Sequence, residues 1–323
     1  MSGLTIAGLQ VAIGLAQPLR DCSLSVAPGE VVGLVGESGS GKSLTALACL
    51  GLLPAQARAR GQIQLGDTAL LGAPEAVWRG VRGRRLAMIF QNPMSALNPF
   101  FSIGRQLLEV VGTHFPEPRA ALQQRVRKAL ERVQLDASFA DKYPHQMSGG
   151  QLQRAMIAMA LACEPELLIA DEPTTALDVT VQARIMRLLR ELTGQGMGLL
   201  LISHDLALVA QVAARVYVMY AGRTVETGPT RELMGSASHP YTANLLKAQP
   251  RLGQFQRRLP VIEGQVLPAS AMPSGCVFQS RCWRATELCG QQPPPALSLR
   301  LGSRVECHHP ILPTILAKEL EHG

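Results

Sequence analysis

The chain has 323 residues and a formal net charge of +7, and 47% of its residues are hydrophobic while 17% are charged. This composition excludes a disordered or fibrous protein, and the length allows one large α/β domain with a smaller appendix. Aromatic residues make up only 4% of the chain and no dense Lys/Arg block occurs, which disfavours nucleic-acid binding.

No apolar run is long enough to cross a bilayer, and Met1–Gln10 lacks the basic-then-apolar pattern of a signal peptide. We therefore expect a cytosolic protein whose membrane association depends on a partner. In a reducing compartment, the seven cysteines are not expected to form a disulfide framework.

The N-terminal part of the chain contains short strand-like segments. They alternate apolar and polar residues or form short apolar runs, as strands do. The predicted strands are Leu4–Val11, Cys22–Val26, Glu30–Val35, Gln62–Leu65 and Leu86–Phe90.

A phosphate-binding motif follows the third of these strands. Gly36–Ser43 reads G-E-S-G-S-G-K-S and matches G-x-x-x-x-G-K-[ST], and the apolar stretch Leu44–Leu53 after it has helical spacing. Glycines allow a tight backbone turn, and backbone N–H groups at a helix start bind anions. Lys42 would contact the phosphates and the Ser43 hydroxyl would bind Mg²⁺. The predicted nucleotide-binding residues are Gly36, Ser38, Gly39, Ser40, Gly41, Lys42, Ser43 and, from a later strand, Asp171.

The segment after the fifth strand is predicted to be mainly helical. Gln91–Pro99 is a polar loop with two prolines, and Phe101–Val111 and Arg119–Val133 are amphipathic. Ser148-Gly149-Gly150-Gln151 then precedes the helical run Leu152–Cys163, with Ser148 as a plausible N-cap. We predict a helical insertion over approximately residues 91–155.

Two acidic residues end the next predicted strand. Leu167–Asp171 is apolar up to its terminal carboxylate, and Glu172 follows directly. Asp171 would hold Mg²⁺, and Glu172 would polarise the attacking water as a general base. A further buried strand, Gly198–Ser203, delivers His204 to the same edge of the sheet.

Together these motifs resemble the ATP-binding subunit of an ABC transporter, from about Leu4 to Glu232. Gly36–Ser43 resembles Walker A, Ser148–Gln151 the signature motif and Leu167–Asp171 Walker B. The remaining single residues resemble the Q-loop (Gln91), the catalytic glutamate (Glu172), the D-loop (Asp178) and the switch histidine (His204).

The resemblance implies a fold and an assembly. The fold is an α/β P-loop NTPase core (residues 1–235) with a small antiparallel β subdomain and the helical insertion, followed by a loop-rich, Cys-containing extension (residues 236–323). ATP and Mg²⁺ are the implied cofactors, with Ser43, Gln91 and Asp171 around the metal. The family pairs two such domains head to tail, so that a partner's ATP would contact Ser148, Gly149, Gly150, Gln151 and Asp178.

Further segments narrow the resemblance to importers of dipeptides, oligopeptides and nickel. These segments are Gln91–Pro99, Tyr143–Gln146, Ala170–Val179 and His239-Pro240-Tyr241-Thr242. The implied partners are two integral-membrane permease subunits, a second and different ATPase subunit and a periplasmic binding protein, which place the chain at the cytoplasmic face of a bacterial inner membrane. The sequence departs from the family near Val11–Gly14, where an aromatic residue usually stacks on adenine and this chain offers only Ile13.

Four cysteines lie in the C-terminal segment with the spacing C-x5-C-x6-C-x17-C: Cys276, Cys282, Cys289 and Cys307. Clustered thiols in a loop-rich cytosolic segment indicate a metal site. The resemblance implies a [4Fe–4S] cluster. Structural Zn²⁺ is the alternative, with His308 or His309 able to replace one thiolate.

The expected function is therefore an ATPase that energises import of dipeptides or oligopeptides. A nickel or metal-chelate importer of the same family is the alternative. A soluble ABC ATPase acting on nucleic acid or ribosomes is disfavoured because the chain has one cassette and no coiled-coil or basic insert. An exporter is disfavoured by the His-Pro-Tyr segment and the cysteines.

Overall fold

A large mixed β-sheet organises the fold in the computed structural model, which describes residues 3–174, 177–248, 262–299 and 302–312. The strands in these ranges are β1 (Leu4–Ile13), β2 (Ala16–Val26), β3 (Val31–Val35), β4 (Ala57–Leu65), β5 (Thr68–Ala69), β6 (Leu86–Ile89), β7 (Leu167–Asp171), β8 (Gly198–Ser203), β9 (Arg215–Tyr220), β10 (Arg223–Pro229), β11 (Ala296–Ser298) and β12 (Arg304–Glu306).

The helices lie mainly between β6 and β7 and after β7. They are α1 (Lys42–Cys49), α2 (Glu75–Val81), α3 (Pro93–Ala96), α4 (Ile103–His114), α5 (Arg119–Arg132), α6 (Gly149–Leu161), α7 (Val179–Gly194), α8 (Leu206–Ala210), α9 (Thr230–Gly235), α10 (Pro240–Lys247) and α11 (Glu287–Gln291).

The sheet order brings the ends of four predicted motif strands together. The order is β5-β4-β1-β2-β10-β9-β3-β8-β7-β6, and β9, β3, β8, β7 and β6 run parallel to one another, whereas β10 is antiparallel to β9. The pairs Val35↔Ser203 and Asp171↔Ile202 show that β3, β8 and β7 end at the same level. Because parallel strands end at one edge, the residues after them converge there.

The parallel strands are buried on both faces because their alternate side chains fill two separate cores. In β3, Val31 and Val35 pack into the core on the side of the helical insertion, whereas Val32 and Leu34 pack into the core shared with β1, β2 and α1. Both faces of such strands must be apolar, which is why these segments read as continuous hydrophobic runs rather than alternating ones.

The antiparallel β1–β2–β4 sheet and the helices between β6 and β7 confirm the predicted fold class. Helix boundaries follow the caps. Helix α6 begins three residues before the predicted Leu152 because Ser148 caps it, and α4 begins at Ile103 because the Ser102 hydroxyl accepts from the Arg105 N–H.

Strands β2 and β4 are longer than the sequence pattern predicts. Strand β2 starts at Ala16 rather than Cys22, and β4 starts at Ala57 rather than Gln62. In both cases the added residues extend the pairing of the β1 hairpin and its neighbour, for example Ile13↔Ala16 and Ile13↔Ala57. Backbone pairing therefore extends past the segment whose side chains show clear alternation.

The C-terminal extension joins the main sheet and core. Strand β12 pairs antiparallel with β10 through Glu226↔Val305, and β11 pairs with β12. The side chains of Val277, Phe278 and Cys289 are buried in the same core as the helical insertion. The extension thus shares buried apolar surface with the nucleotide-binding part.

Candidate active site

The phosphate-binding loop leaves β3 in a conformation that only glycine tolerates at two positions. Gly36 has φ 155° and Gly41 has φ 103°. A Cβ atom at Gly36 would collide with the Met219 carbonyl oxygen, and one at Gly41 would lie 2.8 Å from Leu19 Cδ2. The loop backbone therefore packs directly against β9 and β2, and helix α1 begins at Lys42.

Lys42 points back into this loop. Its Nζ donates to the carbonyl oxygens of Gly36 (2.8 Å) and Glu37 (2.9 Å) and to Ser40 Oγ (3.3 Å). Burial lowers the pKa of Lys42, while the carboxylates of Glu172, Asp171 and Glu37 act in the opposite direction. A buried cation whose partners are neutral oxygens is well placed to bind an anion.

The other loop residues divide by exposure. Ser40 is buried, whereas Ser38, Gly39 and Ser43 are exposed. Gly39 adopts φ 77° with open space around its Cα, so nothing in the described protein prevents a ligand from approaching the loop there. Exposed backbone at a helix start is the surface that phosphate groups bind.

Asp171 ends β7 beside the start of α1. Asp171 is 4% exposed, and its carboxyl lies near the Ser43 side chain. Burial raises the pKa of Asp171, and Ser43 and Lys42 oppose that rise. A hydroxyl and a carboxylate thus lie near each other, and both supply oxygen ligands that Mg²⁺ prefers.

Glu172 is held between two residues from other strands. Gln91 Nε2 donates to Glu172 Oε2 at 3.0 Å, and His204 Nδ1 lies 3.0 Å from Glu172 Oε1. Glu172 itself has φ 48°, and its N–H donates to the Ile202 carbonyl. This left-handed backbone is unusual for a residue other than glycine, and such strained positions often occur at active sites.

The Ser148–Gln151 segment forms the N-terminus of α6. The Ser148 hydroxyl accepts from the Gln151 N–H, and the Gln151 side chain accepts from the Ser148 N–H, so the two form a capping box. Gly149 and Gly150 occupy the first turn.

A hydrogen bond connects α6 to the segment that follows Asp171 and Glu172. Gln153 of α6 donates to the Pro173 carbonyl at 2.7 Å, and Asp178 caps α7 by accepting from the Val181 N–H. Thr175 and Ala176, within the A-D-E-P-T-T-A-L-D-V segment, lie outside the described residues. Helix α6 and the segment after Glu172 are therefore coupled by a buried hydrogen bond.

The hairpin between β1 and β2 carries no aromatic ring. Ile13 is half-buried and packs against the core beneath β1, and Leu15 at the turn is fully exposed. The hairpin offers an adenine base only aliphatic contacts.

The four C-terminal cysteines share one neighbourhood. The Cys276 N–H donates to the Cys289 carbonyl at 2.7 Å. Burial raises the pKa of Cys307 to about 12, and the nearby thiols of Cys276, Cys282 and Cys289 act in the same direction. All four thiols are free. As these side chains stand, residues 3–174, 177–248, 262–299 and 302–312 contain no group of three or more His, Cys, Asp or Glu side chains close enough to hold a metal ion.

The sequence did not predict two contacts that the C-terminal part of the chain makes with Glu37 of the phosphate-binding loop. The Glu37 carboxylate forms an ion pair with Arg281, and the Glu37 N–H donates to the Tyr241 hydroxyl. Glu37 occupies a variable position of the motif, and Arg281 lies 244 residues away. Only the His-Pro-Tyr segment gave a sequence signal, and that signal indicated a family rather than a contact.

Comparison with known proteins agrees with this geometry. Residues 19–175 match the ABC transporter family, and residues 225–289 match the family described as the oligopeptide/dipeptide transporter C-terminal region. The dipeptide transport ATP-binding protein DppD of Escherichia coli is 45% identical over 293 residues, covering 90% of each chain. The chain belongs to the ATP-binding proteins of the ABC transporter family. It is an ATP hydrolase that uses ATP and Mg²⁺.

Other relatives of this ABC ATPase have similar coverage. DppD of Haemophilus influenzae is 47% identical and covers 90% of this chain and 88% of its own. The probable D,D-dipeptide transport ATP-binding protein DdpD of Escherichia coli is 44% identical and covers 92% of each chain.

Solved ABC cassettes share the fold. MJ0796, a bacterial ABC transporter cassette, superposes with a TM-score of 0.64 at 25% identity, over 71% of this chain and 99% of its own. The cbiO1 subunit of Clostridium perfringens has a TM-score of 0.62 at 27% identity, over 72% of this chain and 90% of its own. Within the described part of the ABC ATPase, no helix is long and apolar enough to cross a membrane.

Proposed function

We propose that this ABC ATPase powers the import of dipeptides or oligopeptides. The observation that carries the proposal is the combination of the ABC family match with the oligopeptide/dipeptide C-terminal region in one chain. Relatives named as dipeptide or peptide import ATP-binding proteins align over about nine-tenths of the chain at 44–47% identity. Their coverage includes the extension as well as the cassette.

Glu172 is the proposed general base of hydrolysis. Its carboxylate is 14% exposed and is oriented by Gln91 on one oxygen and His204 on the other. A base fixed in this way can accept a proton from a water that attacks the γ-phosphate. Gln91 would sense the γ-phosphate, and His204 would hold the carboxylate in the productive orientation.

The oxygen ligands around Asp171 suit Mg²⁺. The Ser43 hydroxyl lies near the carboxylate of buried Asp171, and Gln91 donates to the neighbouring Glu172. When bound, Mg²⁺ would neutralise negative charge on the phosphate oxygens. Lys42 would contribute the second positive charge by exchanging its three oxygen contacts in the loop for phosphate oxygens.

Ser148, Gly149, Gly150, Gln151 and Asp178 are proposed to serve the nucleotide of a second ATPase subunit. In the capping box at Ser148 the side chains of Ser148 and Gln151 each accept from the other's backbone N–H. The MJ0796 cassette has been solved as a dimer. We propose a heterodimer with a related ATPase, because the family resemblance implies two different subunits.

The transporter partners are proposed to be two permease subunits and a periplasmic binding protein, with this chain on the cytoplasmic face of the inner membrane. The segment after Gln91, which includes α3, exposes Met94 (56%) and Phe100 (81%). Exposed apolar side chains beside polar ones are typical of protein contact surfaces.

We place the boundary between the ATP-binding domain (1–235) and the extension (236–323) after α9, with the helical insertion at about 91–155.

A metal centre at Cys276, Cys282, Cys289 and Cys307 is part of the proposal. Four free thiols in one neighbourhood are chemically suited to a [4Fe–4S] cluster or to Zn²⁺. The thiols do not form a ready metal group as their side chains stand, so no step of hydrolysis is assigned to them.

The metal proposal is tested by purification without oxygen, followed by iron, sulfide and zinc analysis. A brown protein with four iron atoms per chain supports a cluster. A colourless protein with one zinc ion identifies structural zinc, and a metal-free protein with intact ATPase activity would remove the proposal.

Uptake by a deletion strain tests the cargo. Labelled dipeptide and a nickel chelate are offered separately to the strain carrying the wild-type chain, the Glu172→Gln chain or no chain. Loss of dipeptide uptake alone supports the proposal. Loss of nickel uptake alone would transfer the chain to the metal-importing branch, and unchanged uptake of both would reject peptide import in that strain.

A further inference from the structure

Glu37, the second residue of the phosphate-binding loop, is held at three points. Its N–H donates to the Tyr241 hydroxyl at 2.8 Å, and its carbonyl accepts from Lys42 Nζ at 2.9 Å. Its carboxylate accepts from both terminal nitrogens of Arg281, at 2.7 and 3.1 Å. Two of these three anchors come from the C-terminal part of the chain.

Backbone carbonyl groups hold the Arg281 side chain in place in addition to its contact with Glu37. Its side chain is only 4% exposed, and its Nε and Nη2 donate to the carbonyls of Glu263 (2.9 Å) and Ile262 (3.1 Å). The hydrogen bond with Glu37 is the main cause that raises the pKa of Arg281, so the guanidinium stays charged. A planar guanidinium held in this way presents two parallel donors to one carboxylate.

Tyr241 is fixed by an aromatic cluster. Its ring lies 4.6 Å from Tyr220 and 5.4 Å from Phe278, centroid to centroid, and all three side chains are fully buried. Tyr241 belongs to α10, Phe278 to the segment before Arg281, and Tyr220 to β9. The extension and the loop are therefore connected through a rigid core rather than through a flexible surface contact.

The charge of Glu37 matters because it lies beside an anion site. Its carboxylate is close enough to Lys42 to raise the pKa of that side chain. Left unpaired, it would repel the phosphates of a nucleotide and compete with them for Lys42. Arg281 neutralises this carboxylate through two hydrogen bonds from its guanidinium.

We propose that Arg281 and Tyr241 are positioning residues of the ATP site, through which the C-terminal extension sets the affinity of the phosphate-binding loop for nucleotide. The extension thus contributes to the chain's own ATPase centre without touching the reacting atoms. This inference is independent of the cargo, because it concerns ATP binding only.

The main test compares Arg281→Gln with Arg304→Gln in the full-length chain. Arg304 also forms an ion pair in the extension, with Glu306, but it does not contact the loop. The dissociation constant of a fluorescent ATP analogue and the KM and kcat for Mg-ATP are measured. We expect Arg281→Gln to raise Kd and KM about tenfold, with kcat within about twofold. Arg304→Gln should leave both unchanged.

Two further variants separate positioning from folding. Arg281→Lys should recover only part of the affinity, because an ammonium group cannot donate in a bidentate arrangement. Adding Glu37→Gln to Arg281→Gln should restore affinity, since it removes the unpaired carboxylate next to Lys42. If the Arg281–Glu37 pair only stabilised the fold, the double variant would not bind the nucleotide more tightly than Arg281→Gln does.

Tyr241→Phe removes one oxygen atom and leaves the aromatic cluster intact. If Arg281→Gln does not fold, Tyr241→Phe still tests whether the extension positions the loop for nucleotide binding. Its Kd should rise by about three- to tenfold, because the Glu37 N–H loses its acceptor. Unchanged Kd in both Arg281→Gln and Tyr241→Phe would overturn the proposal. Equal losses of kcat in Arg281→Gln and Arg304→Gln would also overturn it, since they would indicate general destabilisation.

Discussion

Replacing Glu172 by glutamine isolates the charge of the proposed base from its shape. The side chain has two hydrogen-bonding neighbours at 3.0 Å, Gln91 Nε2 and His204 Nδ1. A glutamine can accept from Gln91 with its oxygen and donate to an unprotonated His204 nitrogen with its amide. Both contacts can therefore survive, while the group can no longer accept a proton from water.

The expected size of the effect follows from this geometry. A positioned general base contributes about 10²- to 10⁴-fold to a rate, which corresponds to roughly 3–5 kcal/mol of barrier. We expect kcat to fall by this factor in Glu172→Gln. ATP affinity should be unchanged or higher, because one of the carboxylates near Lys42 loses its charge.

The assay combines single-turnover hydrolysis of labelled ATP with equilibrium binding of a fluorescent ATP analogue. Glu109→Gln is the matched control, because Glu109 is an exposed carboxylate on α4 paired only with Arg105 four residues earlier. Hydrolysis by Glu172→Gln within a few-fold of the wild-type rate would refute the role of Glu172 as the base. Loss of ATP binding would show instead that the carboxylate maintains the site.

Three other predictions test separate parts of the molecule. Lys42→Ala should abolish ATP binding, because the buried cation has no substitute in the loop, and an analogue titration up to millimolar nucleotide would detect any residual affinity. Ile13→Tyr should tighten ATP binding by about three- to tenfold through base stacking, and competition with ATP, GTP and free triphosphate shows whether the gain depends on the base. His239 is buried and uncharged, with a pKa lowered to about 3 by burial, whereas the unfolded chain binds this proton near pH 6.5. As the pH falls from 6.5 towards 3, only the unfolded state takes up the proton, so the free energy of unfolding should fall by up to about 1.4 kcal/mol per pH unit. His239→Asn, which can still cap α10, should reduce this slope in urea titrations, while the exposed His145→Asn should not.

Local sequence features were enough to predict each motif and its element. Examples are the glycines of the loop, the apolar run before Asp171 and the serine before α6. Each determines the structure of residues only a few positions away, so the spacing of residues in the sequence is enough to identify it. Their physical requirements are a backbone turn, burial on both faces of a strand and a helix cap, all of which are local.

The meeting of these motifs depends on the order of the strands. Gln91 and His204 are 81 and 32 residues from Glu172, and they reach it because β6 and β8 flank β7 at the same edge of the sheet. The order of the strands along the chain does not reveal this arrangement, because β8 follows both β3 and β7 in the sequence but lies between them in the folded sheet. The family resemblance led us to expect that these motifs act at one site, and the order of the strands in the sheet brings Gln91 and His204 into contact with Glu172.

The sequence by itself determined that this protein binds nucleotide phosphates, where its carboxylates and caps lie, and which family it resembles. The tertiary structure alone decided that the extension reaches the nucleotide site, through Arg281 and Tyr241 on Glu37. It also decided that β12 completes the sheet beside β10. The reason is physical: an ion pair between residues 244 positions apart, or a strand pair between distant segments, depends on where packing brings the chain, and no local pattern of residues encodes that proximity.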